Sequence, residues 1–128
     1  MSHINKNYLH SELTEQIISC AYKVHKELGV GFLEKVYENS LYIEIQEQGL
    51  KVKRQELIKV YYKNKIVGEY YADLLIEDKV IVEVKAISEL IRVHETQLIN
   101  YLKATGIEIG LLINFSNRLS IRRKIQTK

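Results

Sequence analysis

The chain has 128 residues, a formal charge of +3, 46% hydrophobic and 27% charged residues, which fits one globular domain over residues 1–128 with a core of about 10–125. There is no proline, and the single cysteine, Cys20, excludes an intrachain disulfide framework or a cysteine metal cluster. No apolar run approaches the roughly 20 residues needed to span a bilayer, and residues 1–10 lack the apolar stretch of a signal peptide, so a cytoplasmic protein without a membrane partner is expected.

Ser11 to Leu28 reads as a helix, because Leu13, Ile17, Ala21, Val24 and Leu28 recur at helical spacing and Gly29 is a natural stop. A second helix runs from about Leu33 to Gln48 and closes at Gly49. The period then changes. Leu57 to Tyr62 is a strand rich in β-branched and aromatic residues, Lys63-Asn64-Lys65 is a hairpin turn, and Ile66 to Ile76 is a long second strand with Gly68 as a bulge. Glu77-Asp78 turns the chain into a third strand, Lys79 to Lys85. Ser88 caps a helix running to about Thr105, with Gly106 after it, and two further strands follow, Ile109–Phe115 and an edge strand Leu119–Ile125. The order α-α-β-β-β-α-β-β predicts an α/β fold. A right-handed helical crossover should place the fourth strand parallel to a neighbour in a mixed central sheet flanked by helices.

Charge is unevenly spread along the chain. Residues 1–50 carry four Lys/Arg and seven Asp/Glu, whereas residues 51–128 carry fifteen and nine. Arg118, Arg122, Arg123 and Lys124 crowd the last segment without an acid, a patch suited to phosphates or simply a solvated basic edge.

The third strand is apolar on both faces, as a covered central strand should be, yet Glu83 and Lys85 interrupt it. Two residues apart, they share one face at a separation of about 6.6 Å. Read alone, they are more simply a solvated pair at a strand end. Asp73 sits in another largely apolar strand, Tyr70–Ile76. A turn at Glu77-Asp78 opposes residues whose numbers sum to about 155, which brings Asp73 close to Glu83. Two carboxylates with an adjacent ammonium are hard oxygen ligands for Mg²⁺ or Mn²⁺ with a phosphate contact beside them.

In the second helix Glu34, Tyr37, Glu38, Leu41 and Ile45 share one side, so Glu34 or Glu38 offers a third carboxylate. The alternative is a helix that buries its Val36–Ile43 side and leaves both glutamates in water. In the third helix Ile91, Leu98 and Leu102 define the apolar face, flanked by His94, Gln97 and Tyr101. The flank either looks toward the sheet site or is a plain boundary, and for His94 an exposed or capping role is favoured over a ligand.

These residues resemble a known family. Gly31-Phe32-Leu33-Glu34-Lys35-Val36-Tyr37 matches the GxxExxY signature of a group of small bacterial and archaeal proteins, with the strands Tyr71–Leu75 and Ile81–Ala86 and the segments Gln97–Leu102 and Gly110–Phe115 agreeing in order over about residues 10–125. That group is placed within the PD-(D/E)XK nuclease superfamily, whose core is α-β-β-β-α-β. The resemblance implies metal ligation by Asp73 and Glu83 with Glu34 and the Val84 carbonyl, Glu38 being the rival of Glu34. It implies a catalytic Lys85, and Gln97 and Tyr101 as the QxxxY element of the RecB-like branch. Ala72 stands where the superfamily's name has proline, a position that is not a ligand. The function implied is a Mg²⁺- or Mn²⁺-dependent nuclease acting on DNA, as a monomer or homodimer. The competing reading is a nucleic-acid-binding or protein-interaction module that keeps the fold without turnover.

Overall fold

The computed structural model describes residues 9–127; the expected domain's residues 1–8 and 128 lie outside them. The elements are α1 (Ser11–Leu28), α2 (Glu34–Glu47), β1 (Val52–Tyr62), β2 (Lys65–Ile76), β3 (Val80–Lys85), α3 (Arg92–Thr105), β4 (Ile109–Phe115) and β5 (Leu119–Ile125), in the expected order. They build one mixed five-stranded sheet ordered β1-β2-β3-β4-β5, with β3 and β4 parallel and the other neighbours antiparallel. This is an α/β fold. No helix among the described residues is long and apolar enough to cross a membrane.

Two apolar layers hold the sheet. On one face Ile17, Val24, Tyr37, Leu41 and Ile45 of α1 and α2 pack on Leu74, Val82, Val84, Leu111 and Ile113. On the other, Leu98, Tyr101 and Leu102 of α3 pack on Ile58, Ala72, Leu75, Ile81 and Leu112. The strict alternation of β3 explains both: Val80, Val82 and Val84 face α1 and α2, while Ile81 faces α3 and carries Glu83 and Lys85 onto its own side. Tyr37 fixes the α1–α2 connection. Its ring stacks on Phe115 at 4.7 Å, and its hydroxyl donates to the Gly29 carbonyl at 2.7 Å while accepting from Phe32 N–H at 3.3 Å. Gly31 holds a φ of 105° in that connection, which a side chain would strain.

Several boundaries differ from the sequence expectation. β1 begins at Val52, not Leu57, because the polar run Lys53–Glu56 is held by pairing with β2 rather than by its own alternation. Lys65 belongs to β2, leaving Lys63 and Asn64 as a two-residue turn, both at positive φ, the geometry that matches strand twist. The bulge lies beside Gly68 rather than at it: Val60 pairs with Gly68 and Tyr61 with Ile66, so Val67 is the extra residue. Helix α3 starts at Arg92 instead of near Ser88, because Leu90 is buried under the α3 layer and holds residues 86–91 as a connection. Ile91, expected on the apolar face, is the exposed cap residue.

Gly110 of β4 sets how closely α3 approaches the sheet. A Cβ there would lie 2.7 Å from Leu98 Cδ1 and 2.9 Å from its Cγ, and Leu98 is fully buried. Gly110→Ala should therefore lower stability by about 1–3 kcal/mol through overpacking, read as an earlier urea midpoint. An unchanged midpoint would show that α3 moves away freely.

Candidate active site

The β2–β3 ladder pairs Ile76 with Val80, Leu75 with Ile81 and Leu74 with Val82, a sum of 156. The next pair would be Asp73 with Glu83, and there the ladder stops. Asp73 N–H donates to Glu83 Oε2 at 2.8 Å, and Val84 N–H donates to Asp73 Oδ2 at 2.8 Å. Two carboxylates thus replace the backbone acceptors where the strands part. β1 releases Asp73 as well: Arg54 pairs with Leu74 and Glu56 with Ala72, but Gln55 between them stands at a φ of 51° and leaves the ladder. The phase of β2 slips at this point, since Ala72 and Leu75 both face α3 while Leu74 and Ile76 face the other layer. Asp73 occupies the resulting gap.

The third carboxylate nearby is Glu38, not Glu34. The helix α2 buries the stripe Tyr37, Glu38, Leu41 and Ile45, which decides between the two orientations open in the sequence. Glu38 is 4% exposed. Its carboxylate takes Lys35 Nζ at 3.2 Å and Gln55 Nε2 at 3.0 Å, and the same Gln55 amide reaches Asp73 Oδ1 at 3.4 Å. Glu34 is exposed in the first turn of α2, where an acid favours the helix macrodipole. Gln55, absent from the sequence reading, is the link between Glu38 and Asp73. It lies in a polar run with no periodicity, so only its pairing partner could have revealed it.

Crowding of negative charge shapes the site. Burial first, and then the charge of Asp73, push Glu83 up to about 8, against the opposing pull of the Asp73 N–H bond and Lys85. Asp73 is raised as well, by burial and by Glu38, while the Val84 N–H, Gln55 and Lys85 hold it down. Lys85 is half-buried on the strand that carries Glu83 and opposes the charge of both carboxylates.

On α3, Tyr101 is 7% exposed and turned toward the sheet. Burial, followed by the charges of Glu83 and Asp73, raises its hydroxyl to about 12, so it stays a proton donor. Gln97 Nε2 donates to that hydroxyl at 3.0 Å. The QxxxY pair therefore lies on the carboxylate side of α3. His94 caps its own helix, its Nδ1 accepting Ile91 N–H at 3.1 Å. Asn114, 1% exposed, is a second residue the sequence reading passed over. Its amide exchanges two 2.9 Å bonds with the backbone of Ile87 and anchors the chain just beyond Lys85. An amide inside an otherwise apolar strand was the available signal, because a buried polar group needs partners.

The four basic residues are not gathered at this site. They lie on or just before β5, two strands from β3. Arg118 precedes the strand at the end where Asn114 pairs with Lys85, whereas Lys124 opposes Gly110 at the other end and forms an ion pair with Glu95. Arg123 donates to the Leu9 carbonyl. Arg122 is exposed. Among the described residues, no three His, Cys, Asp or Glu side chains already stand as a metal cage.

No curated protein matches the chain. Among solved structures it is similar to the crystal structure of SSO0001, at a TM-score of 0.59 and 19% identity, covering 96% of this chain and 63% of that one. It is also similar to the alkaline exonuclease LHK-Exo from Laribacter hongkongensis, at a TM-score of 0.53 and 16% identity, covering 72% of this chain and 54% of that one. The chain spans less than two thirds of either structure's length, and at such identities the likeness is one of fold. A family model described as the PD-(D/E)XK nuclease superfamily matches residues 11–126, a range that holds the parted strands, both carboxylates and Lys85: the chain belongs to the PD-(D/E)XK nuclease superfamily.

Proposed function

We propose that this chain is a divalent-metal-dependent nuclease that hydrolyses phosphodiester bonds, with DNA as its substrate, and that it falls in the GxxExxY group through Gly31, Glu34 and Tyr37. The observation that carries the reading is the meeting of Asp73 and Glu83 where β2 and β3 part, with Lys85 on the same strand. Two carboxylates whose proton affinity is raised by burial and by neighbouring acids, Asp73 for Glu83 and Glu38 for Asp73, are a donor set suited to a hard dication. Each spends an oxygen on a backbone N–H, but a carboxylate offers about four acceptor sites, so ligation capacity remains. Asp73, Glu83 and the Val84 carbonyl would hold Mg²⁺ or Mn²⁺, with Glu38 taking the part expected of Glu34. Such an ion supplies Lewis acidity toward the phosphodiester and an activated water.

The remaining groups have roles of their own. Lys85 brings a positive charge to the phosphate as negative charge develops on it. Tyr101, kept protonated and oriented by Gln97, offers a hydrogen bond toward the same place. Gln55 links Asp73 and Glu38 through one amide.

The test is cleavage of labelled single- and double-stranded DNA and RNA by purified protein with Mg²⁺, Mn²⁺ or a chelator. Cleavage should require the metal and fall by about a hundredfold or more in Glu83→Gln. If wild type and Glu83→Gln share one trace activity, it is contamination, and the interaction-module reading replaces this one.

A further inference from the structure

A groove of about 710 Å³ runs between α3 and the β1–β2 ribbon and is lined in part by Gln97 and Tyr101; Tyr101 feels the charges of Glu83 and Asp73 and holds Gln97 by a hydrogen bond. Only Leu74 to Ile76 of β2 pair with β3. The rest of the β1–β2 ribbon therefore extends past the sheet as a two-stranded arm. Ile58 and Ala72 are buried under α3, but other apolar residues of the arm are not covered: Tyr61 is 59% exposed, Tyr62 64%, Val67 62% and Tyr70 48%. The groove wall includes Tyr61, Tyr70, Lys59 and Lys103, and no acidic residue is among those that line it. Over residues 57–71 the arm carries Lys59, Lys63 and Lys65 against the single acid Glu69. Tyr70 is already tilted against Tyr101 at 5.7 Å between ring centres.

We infer that this groove is the track for a single strand of nucleic acid leading to the carboxylates. The inference rests on the nuclease reading and adds to it the form of the substrate. Tyrosine rings with open faces give sequence-tolerant stacking platforms for bases, and lysines beside them meet the phosphates. A volume of this order suits a ligand of a few hundred Å³, such as a base with its sugar, rather than the full width of a duplex. The absence of acids along the wall fits a polyanion. A second copy of this chain offers no such charge match, because its own arm is equally basic.

Fluorescence anisotropy with a labelled oligothymidylate, in chelator so that no cleavage intervenes, tests the track. Tyr61→Ala, at an exposed ring, should weaken single-strand binding at least about fivefold, and Tyr61→Phe should restore it. Lys59→Glu combined with Lys103→Glu should weaken it further and flatten its salt dependence. Duplex of the same length should bind more weakly than the single strand. Wild-type affinity in Tyr61→Ala, or tighter binding of duplex, overturns the inference. So does a wild-type dimer that Tyr61→Ala turns into monomer, since the groove then covers a second copy. Metal-dependent cleavage that Tyr61→Ala leaves untouched keeps the nuclease reading and removes the track. The expected binding losses without any cleavage keep the track and remove the nuclease.

Discussion

Lys85→Ala should lower metal-dependent cleavage by about a hundredfold or more while leaving the melting temperature nearly unchanged. On the proposed reading, the loss follows from taking away a positive charge beside the bound phosphate, an interaction that would be strongest when negative charge develops in the transition state. The fold should survive because Lys85 ends β3 and is only half-buried, so truncation empties no apolar cavity. Asp73→Asn should stop turnover by a different route. A neutral amide is a poorer ligand for a hard dication, yet its oxygen can still accept the Val84 N–H that Asp73 now holds at 2.8 Å. Removing one of two mutually repelling carboxylates should raise the melting temperature in metal-free buffer. Cleavage and melting measured together, with and without Mg²⁺, separate the two variants. Lys85→Ala should still be stabilised by Mg²⁺, and Asp73→Asn should not. If Lys85→Ala retains wild-type turnover, the lysine is a structural counter-charge and the catalytic assignment is wrong.

What the sequence made legible follows from where apolar periodicity is strong. The helix Ser11–Leu28 and the strands Ile109–Phe115 and Leu119–Ile125 are read with the boundaries observed, because their burial is set by their own side chains. Asp73, Glu83 and Lys85 stood out for the same reason in reverse, as charges in apolar runs where burial without a purpose is costly. Val52–Glu56 and Gln55 were not legible, since a polar run becomes a strand only by pairing, and a left-handed φ opposite Asp73 leaves no compositional trace. The choice between Glu34 and Glu38 turned on position along the helix. Both lie on one side of α2, and what separates them is depth: Glu34 sits in the exposed first turn while Glu38 faces Gln55 under the sheet edge. The GxxExxY motif divides accordingly. Gly31 and Tyr37 shape the α1–α2 connection, and the acid that reaches Asp73 through Gln55 lies one helical turn past the motif's glutamate.

Metal-free protein should lose stability as pH rises from about 5 to about 8, and Mg²⁺ should cancel much of that loss. In the folded chain Glu83 is raised from 4.5 to about 8, so its folded form holds a proton that the unfolded form releases. Below the ordinary value both forms are protonated and nothing is lost. Through the interval the folded state binds more protons, so unfolding free energy falls with pH, by at most about 1.4 kcal/mol per unit for one group. Asp73, also raised, adds in the same direction. Asp78 and Glu95 are lowered by their lysine partners, so their contribution has the opposite sign and is lost in acid, below the interval that Glu83 governs. A dication binds the ionised carboxylates and competes with the proton. The rise in melting temperature caused by Mg²⁺ should therefore be larger at pH 8 than at pH 5.5, and Glu83→Gln should flatten both the metal-free slope and the Mg²⁺ response. A Mg²⁺ effect of equal size at both pH values would place the bound ion away from this pair. No Mg²⁺ effect at either pH would leave two carboxylates held in place by backbone N–H donors rather than by a metal.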